Sequence, residues 1–131
     1  MDAMPLYTVM TEAKLLDQAK RSDLVRKLTT LHSEAAGVPP SWIHVVFQDY
    51  APGHGFTAGV PAPVLALTLV IRTGRSSDYK RDLLQRIWAI VQVTTRLPDD
   101  QIVLDIQEVP PSQAMEMGRT MPDVADVSAA P

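Results

Sequence analysis

Val38-Pro39-Pro40-Ser41-Trp42-Ile43-His44-Val45-Val46-Phe47-Gln48-Asp49 finds a counterpart 59 residues later in Leu97-Pro98-Asp99-Asp100-Gln101-Ile102-Val103-Leu104-Asp105-Ile106-Gln107-Glu108. Val38-Pro39 falls on Leu97-Pro98. Ile43, Val45 and Phe47 fall on Ile102, Leu104 and Ile106, and Gln48-Asp49 falls on Gln107-Glu108. The same offset carries Leu24, Leu28 and Leu31 onto Leu83, Ile87 and Ile90, and Leu6 onto Leu65. A helical spacing followed by a strand-like stretch, repeated at one interval, reads as two β-α-β units in tandem. A right-handed crossover makes the two strands of each unit parallel. The simplest packing is an α+β fold, a four-stranded sheet with two helices on one face. Its other face then needs a cover, and other subunits are the expected one.

Working outward, Pro5 to Thr11 is strand-like, with Pro5 at the first position, where a missing N–H is tolerated. Asp17 is a candidate N-cap for a helix from Ala19 to Ala36, which Gly37 and Pro39-Pro40 stop. Its apolar stripe is Leu24, Leu28, Leu31 and Ala35, with Val25 and His32 on the flank. Trp42 to Tyr50 is the second strand, and Ala51 to Ala62, rich in Gly and Pro, a loop or loose hairpin. Val64 to Arg72 is the third strand, apolar enough to be buried on both faces. Ser76 or Ser77 caps a second helix running to about Arg96, with the stripe Leu83, Leu84, Ile87, Ile90, Val91 and Thr94. Ile102 to Val109 is the fourth strand. Ser112 to Gly118 is read as a turn or two of helix, and Thr120 to Pro131 as a fraying or chain-packing end. The chain is thus expected to be one domain over 1–131, with units at about 5–50 and about 63–109 and a tail at 110–131.

Composition narrows the function. The chain has 131 residues, 46% of them apolar and 5% aromatic, so its core is aliphatic. A net charge of −3 makes nucleic acid an unexpected partner. Without cysteine there is no disulfide, thiolate metal site or Cys nucleophile. Met1 to Ala13 has no signal-peptide pattern, and the run Val60 to Ile71 is too short to span a bilayer. A soluble cytoplasmic protein is expected. The three histidines lack metal-ligand spacing, so neither metal nor cofactor is expected. Gly53-His54-Gly55 is not a phosphate loop, and Ser33 and Ser41 lack a nucleophile elbow.

The chemistry concentrates in Ile71-Arg72-Thr73-Gly74-Arg75-Ser76. Two guanidinium groups in a strand-to-helix loop, beside a helix N-terminus, suit a small anion and most naturally a carboxylate. The competing reading is a pair of solvated loop arginines. His32 reads either as a packed helix histidine or as a functional one. His44 points outward from its strand, and His54 belongs to a surface loop. Glu116, in Met115-Glu116-Met117-Gly118-Arg119, reads on its own as a tail-helix carboxylate paired with Arg119. Asp105 reads as solvent- or interface-facing.

The tandem units, a strand beginning Pro-x-Tyr at Pro5, and Arg-x-Gly-Arg-Ser from Arg72 to Ser76 together resemble the tautomerase superfamily. The closer resemblance is to its longer-chain branch, the cis-3-chloroacrylic acid dehalogenase-like proteins, from Pro5 to about Pro122. The resemblance implies a trimer with sheets inside and helices outside. It also implies acid-base chemistry on a small 2-oxo or α,β-unsaturated carboxylate, by tautomerisation, hydration or a related lyase reaction. Pro5 then matches the family's N-terminal proline, an acid or base through its secondary amine. His32 matches a substrate-binding histidine, Arg72 and Arg75 the two carboxylate-holding arginines, and Glu116 a water-activating glutamate. The position of a tyrosine that assists that water carries Asp105 here.

Met1-Asp2-Ala3-Met4 precede Pro5. While they remain, the Pro5 nitrogen is a tertiary amide without useful basicity. A start at Met4 followed by methionine removal would free it. The alternative is a trimer of the same fold that is inactive, or works without Pro5, and serves as a binding or scaffold protein. Asp2 is a further candidate for a carboxylate beside the arginines.

Overall fold

The computed structural model describes residues 5–121. In chain order come β1 (Leu6–Glu12), α1 (Gln18–Ala36), β2 (His44–Tyr50), β3 (Phe56–Thr57), β4 (Val60–Pro61), β5 (Leu65–Arg72), α2 (Ser77–Thr95), β6 (Ile102–Val109), β7 (Met115–Glu116) and β8 (Arg119–Thr120). Four strands form one sheet in the order β2-β1-β5-β6. β1 runs parallel to β2 and β5 parallel to β6, while β1 and β5 meet antiparallel in the middle. Each β-α-β unit is therefore parallel within itself, and the two units are joined head to tail.

The 59-residue offset holds to the residue. It carries both ends of α1 onto both ends of α2. It carries the 3-10 turn Pro40–Trp42 onto Asp99–Gln101. The cap Asp17, which accepts from Lys20 N–H, falls on Ser76, which accepts from Tyr79 N–H. The left-handed C-cap Gly37 (φ 68°) falls on Arg96 (φ 58°). Both helices thus stop in the same αL geometry, which glycine adopts without strain and arginine does not.

Alternation along the strands splits the sheet into two faces. Tyr7, Val9, Leu65, Leu67 and Leu69 are wholly buried against Leu24, Leu28, Leu83, Ile87 and Val91 of the helices. Periods of two on the strands and 3.6 on the helices meet in one aliphatic layer. His32, expected on the flank of its stripe, is instead buried, at 2% exposure. On the opposite face Leu6, Met10, Val46 and Val103 remain exposed. This is the face for which the apolar third strand calls for a cover.

The segment 51–62 forms the small hairpin β3–β4. Gly55 anchors it: a Cβ there would lie 2.6 Å from both the Ala62 carbonyl oxygen and the Tyr50 hydroxyl. Tyr50 in turn donates to the Val64 carbonyl at the start of β5. Gly55→Ala is expected to push Tyr50 off that bond and to destabilise the fold by about 1–3 kcal/mol. Urea unfolding at neutral pH checks this, and an unchanged midpoint would contradict it. His54 borders a cavity of about 250 Å³ here, with Met10, Tyr50 and Phe56.

The tail departs from expectation. Pro111–Gln113 makes one 3-10 turn, and the chain then turns back as the hairpin β7–β8 rather than continuing as helix. Met117 (φ 54°) and Gly118 (φ 74°) form its two-residue turn with positive φ at both positions, the geometry that matches strand twist. Residues 122–131, and with them the expected fraying end, lie outside the described residues, as do Met1 to Met4. Among the described residues no helix is long and apolar enough to cross a membrane.

Candidate active site

The register of the sheet gathers most of the candidate residues at one end. Pro5 directly precedes β1 and is fully buried, and its carbonyl accepts from His44 N–H at 3.2 Å. Because Leu6 pairs with Val70 in an antiparallel ladder, the start of β1 meets the end of β5. Arg72, the last residue of β5, follows Ile71, on which Pro5 falls when that register is extended by one residue. Arg72 is the closing residue of the strand, as the reading of Val64 to Arg72 as the third strand has it, and it is only 4% exposed. A guanidinium held so far out of water interacts far more strongly with an anion than one in solvent.

Arg75 does lie in the loop ahead of α2. Its guanidinium carbon sits 4.8 Å over the Tyr79 ring, one helical turn on. The N-terminus of α2 contributes less than expected to an anion site. Ser76 Oγ already accepts one of its free N–H groups, at 3.0 Å, and Asp78 places a carboxylate in its first turn.

His32 reaches the same region from α1. Its Nδ1 lies 2.7 Å from the Tyr7 hydroxyl, with the two rings edge to face at 5.5 Å. Burial, helped by the nearby positive charge of Arg75, lowers the His32 pKa from its usual 6.5 to about 4. The ring is therefore neutral at physiological pH. Burial also pushes the Tyr7 hydroxyl well above its usual value, with Tyr79 a smaller contribution, so Tyr7 keeps its proton.

Glu116 sits in the β7–β8 hairpin, opposite Arg119 in the ladder. Its Oε2 lies 3.8 Å from His44 Nε2. Since His44 also bonds to Pro5 through its backbone, Glu116 belongs to the Pro5 end of the sheet. Asp105 does not. It pairs with Thr68 on the open face, accepting from Thr68 Oγ1 at 2.8 Å and from Gln107 Nε2 at 3.2 Å. Arg72 pairs with Val109, four residues further along β6, which is about 13 Å of strand. Within one chain Asp105 and Pro5 do not share a site.

The family profile described as "Putative oxalocrotonate tautomerase enzyme" matches residues 4–129. The chain belongs to the tautomerase superfamily. The crystal structure of N1, a member of the cis-3-chloroacrylic acid dehalogenase family, is 32% identical, with a TM-score of 0.86 over 95% of this chain and 88% of that one. This places the chain in that family's branch of the superfamily. Native Ps01740 is 31% identical, with a TM-score of 0.81 over 85% of this chain and 99% of that one. A fused 4-OT wild-type symmetric trimer shares the fold at 18% identity, with a TM-score of 0.78 over 88% of this chain and 94% of that one. No curated protein matches the chain.

Three further residues, Tyr7, Tyr79 and His44, join the candidates at this end of the tautomerase fold. Tyr7 lies two positions after Pro5, and period two puts both on one face, so the Pro-x-Tyr start was a usable signal. Tyr79, four positions after Arg75, was legible as a helical-turn neighbour. His44 was not, because its closeness to Pro5 and Glu116 depends on strand register and on a hairpin in the tail. Among the described residues no group of three or more His, Asp or Glu is arranged to hold a metal ion.

The lowered His32 pKa has a measurable consequence. Between its folded value and 6.5 the unfolded chain binds the proton that the folded one refuses. This contribution is complete above about pH 6.5 and is lost as pH falls toward 4, and it is on the order of 3 kcal/mol. Urea unfolding is therefore expected to show a shallower fall in stability over that window for His32→Gln than for wild type. Parallel pH profiles for the two proteins would contradict a buried neutral His32.

Proposed function

We propose that this protein is an acid-base enzyme acting on a small 2-oxo or α,β-unsaturated carboxylate. Arg72 and Arg75 hold the carboxylate and draw electron density through the conjugated system, so that charge developing on enolisation or addition is stabilised. Pro5, as a free secondary amine, takes or gives the proton, and Glu116 moves a second proton or activates water. The reaction is a tautomerisation, a hydration or a related lyase step. What supports this reading is that the antiparallel register brings the start of β1, which Pro5 precedes, to the end of β5, where the buried Arg72 lies, and that the charge of Arg75 bears on His32. The 32% identity to a member of the cis-3-chloroacrylic acid dehalogenase family supports the same substrate class.

The working form in this proposal is a homotrimer. The exposed Leu6, Met10, Val46 and Val103 on the open face give each chain a surface to bury against its neighbours. The trimeric state of the fused 4-OT relative supports that arrangement. In it Asp105 faces a neighbouring chain rather than its own Pro5, and serves as an acid or base only across that boundary.

The test is turnover of a panel of 2-oxo and unsaturated carboxylates by wild type, Arg72→Ala and Arg75→Ala. Activity that both substitutions leave intact would end the carboxylate assignment. A second reading, a binding or scaffold trimer, is favoured by the four residues that block the Pro5 nitrogen in the full sequence. The family match, which begins at Met4 directly before Pro5, supports the enzyme instead.

A further inference from the structure

The structure assigns Tyr7 as a positioning residue: its hydroxyl donates to His32 Nδ1, which places the imidazole proton on Nε2 and makes His32 a neutral hydrogen-bond donor beside Arg75. Two arrangements would satisfy the 2.7 Å contact between them. Either Tyr7 O–H donates to a bare Nδ1, or Nδ1–H donates to the Tyr7 oxygen. The surroundings decide between the two. Tyr7 is 0% exposed, and among the described residues its hydroxyl has a single hydrogen-bond partner, His32. In the second arrangement the Tyr7 proton would be buried with no acceptor. That state is disfavoured by about tenfold or more relative to the first.

The remaining charge states do not rescue the second arrangement. A tyrosinate would accept a proton from Nδ1, but burial keeps the Tyr7 hydroxyl protonated. An imidazolium would donate from both nitrogens, but desolvation and Arg75 oppose it. Among the described residues Tyr7 from β1 bonds to the ring and Arg75 from the loop bears on it electrostatically, and neither is an acid that would stabilise the cation.

The chemical result is specific. His32 has no general-base lone pair to offer near neutral pH, because Nδ1 is occupied by Tyr7 and Nε2 carries the proton. What it offers is one N–H of fixed direction, set by the edge-to-face packing of the two rings at 89°. In the proposed reaction, on which only this use of the donor rests, that N–H complements the Arg75 guanidinium in holding an anionic oxygen. The proton transfers then fall to other groups.

The experiment is a long-range ¹H–¹⁵N correlation on histidine-labelled full chain at neutral pH, with His32→Gln used for assignment. Wild type is expected to show His32 protonated on Nε2, with Nδ1 at the shift of a hydrogen-bonded acceptor. In Tyr7→Phe the Nδ1 resonance should move to that of an unbonded acceptor or exchange between tautomers. On any carboxylate the protein turns over, kcat/KM of Tyr7→Phe should fall about tenfold, one charge-assisted contact being mispositioned. A proton on Nδ1 in wild type, or an unaltered His32 spectrum in Tyr7→Phe, would overturn the assignment. Should Tyr7→Phe fail to fold, the wild-type spectrum alone decides it. These spectra need no substrate, so a failure here is separable from a failure of the proposed function, which Arg72→Ala and Arg75→Ala address.

Discussion

Arg72→Ala is expected to lower kcat/KM by about 10²- to 10³-fold, the larger of the two arginine effects. The reason is environment rather than residue type. Arg72 is 4% exposed at the end of β5, so its field acts through little water. Arg75 is only half-buried, lies over Tyr79, and shares the loop with a helix N-terminus that Ser76 already caps. Its removal is expected to cost about tenfold. Arg72→Lys distinguishes charge from shape. It keeps the cation but loses the planar fork that grips both carboxylate oxygens. It should therefore recover only part of the activity, with KM raised. Full activity in Arg72→Lys would mean that the fork is not the grip. Urea midpoints of each variant show whether a loss is one of chemistry or of folding.

The second large effect concerns the Pro5 nitrogen. Protein that begins at Pro5 is expected to turn over about 10²- to 10⁴-fold faster than protein retaining Met1 to Met4, the usual worth of a positioned acid or base. An amide nitrogen has its lone pair in the peptide bond and neither accepts a proton at neutral pH nor adds to an electrophile. Intact mass spectrometry identifies which form a sample contains. A conjugated 2-oxo alkynoate, which accepts a secondary amine, should add one reagent mass to the Pro5 form and none at that nitrogen in the extended form. Equal turnover by the two forms would move the proton chemistry to other groups, with Glu116 the first to substitute. Turnover by neither would leave the binding or scaffold reading.

Chain pattern alone was enough for the architecture. The leucines at 24, 28 and 31, the isoleucines and valines of the strands, and the prolines at 39 and 98 repeat at 59 residues, and so do the helix ends and caps in space. Periodicity records which side of an element faces the core, and that information is local. The tail was less legible. Met115 to Arg119 carries no strong strand alternation, and its hairpin turns on positive φ at Met117 as well as Gly118, which the methionine does not announce.

The site divides along the same line. By itself the sequence determined that two arginines precede the second helix, that a proline opens the first strand, and that a histidine lies late in the first helix. Only the tertiary structure decided that these share one end of the sheet, because that follows from the antiparallel pairing of β1 with β5 between two otherwise parallel units. The tertiary structure also buries Arg72 at the end of β5, and its β5–β6 register leaves Asp105 four residues away on the open face. It also brings Tyr7 to His32, a contact across 25 residues that no local pattern encodes. Burial patterns are a property of one element's surroundings. Hydrogen-bond partners and desolvation depend on which ends of different elements meet, and the long-range strand register sets that.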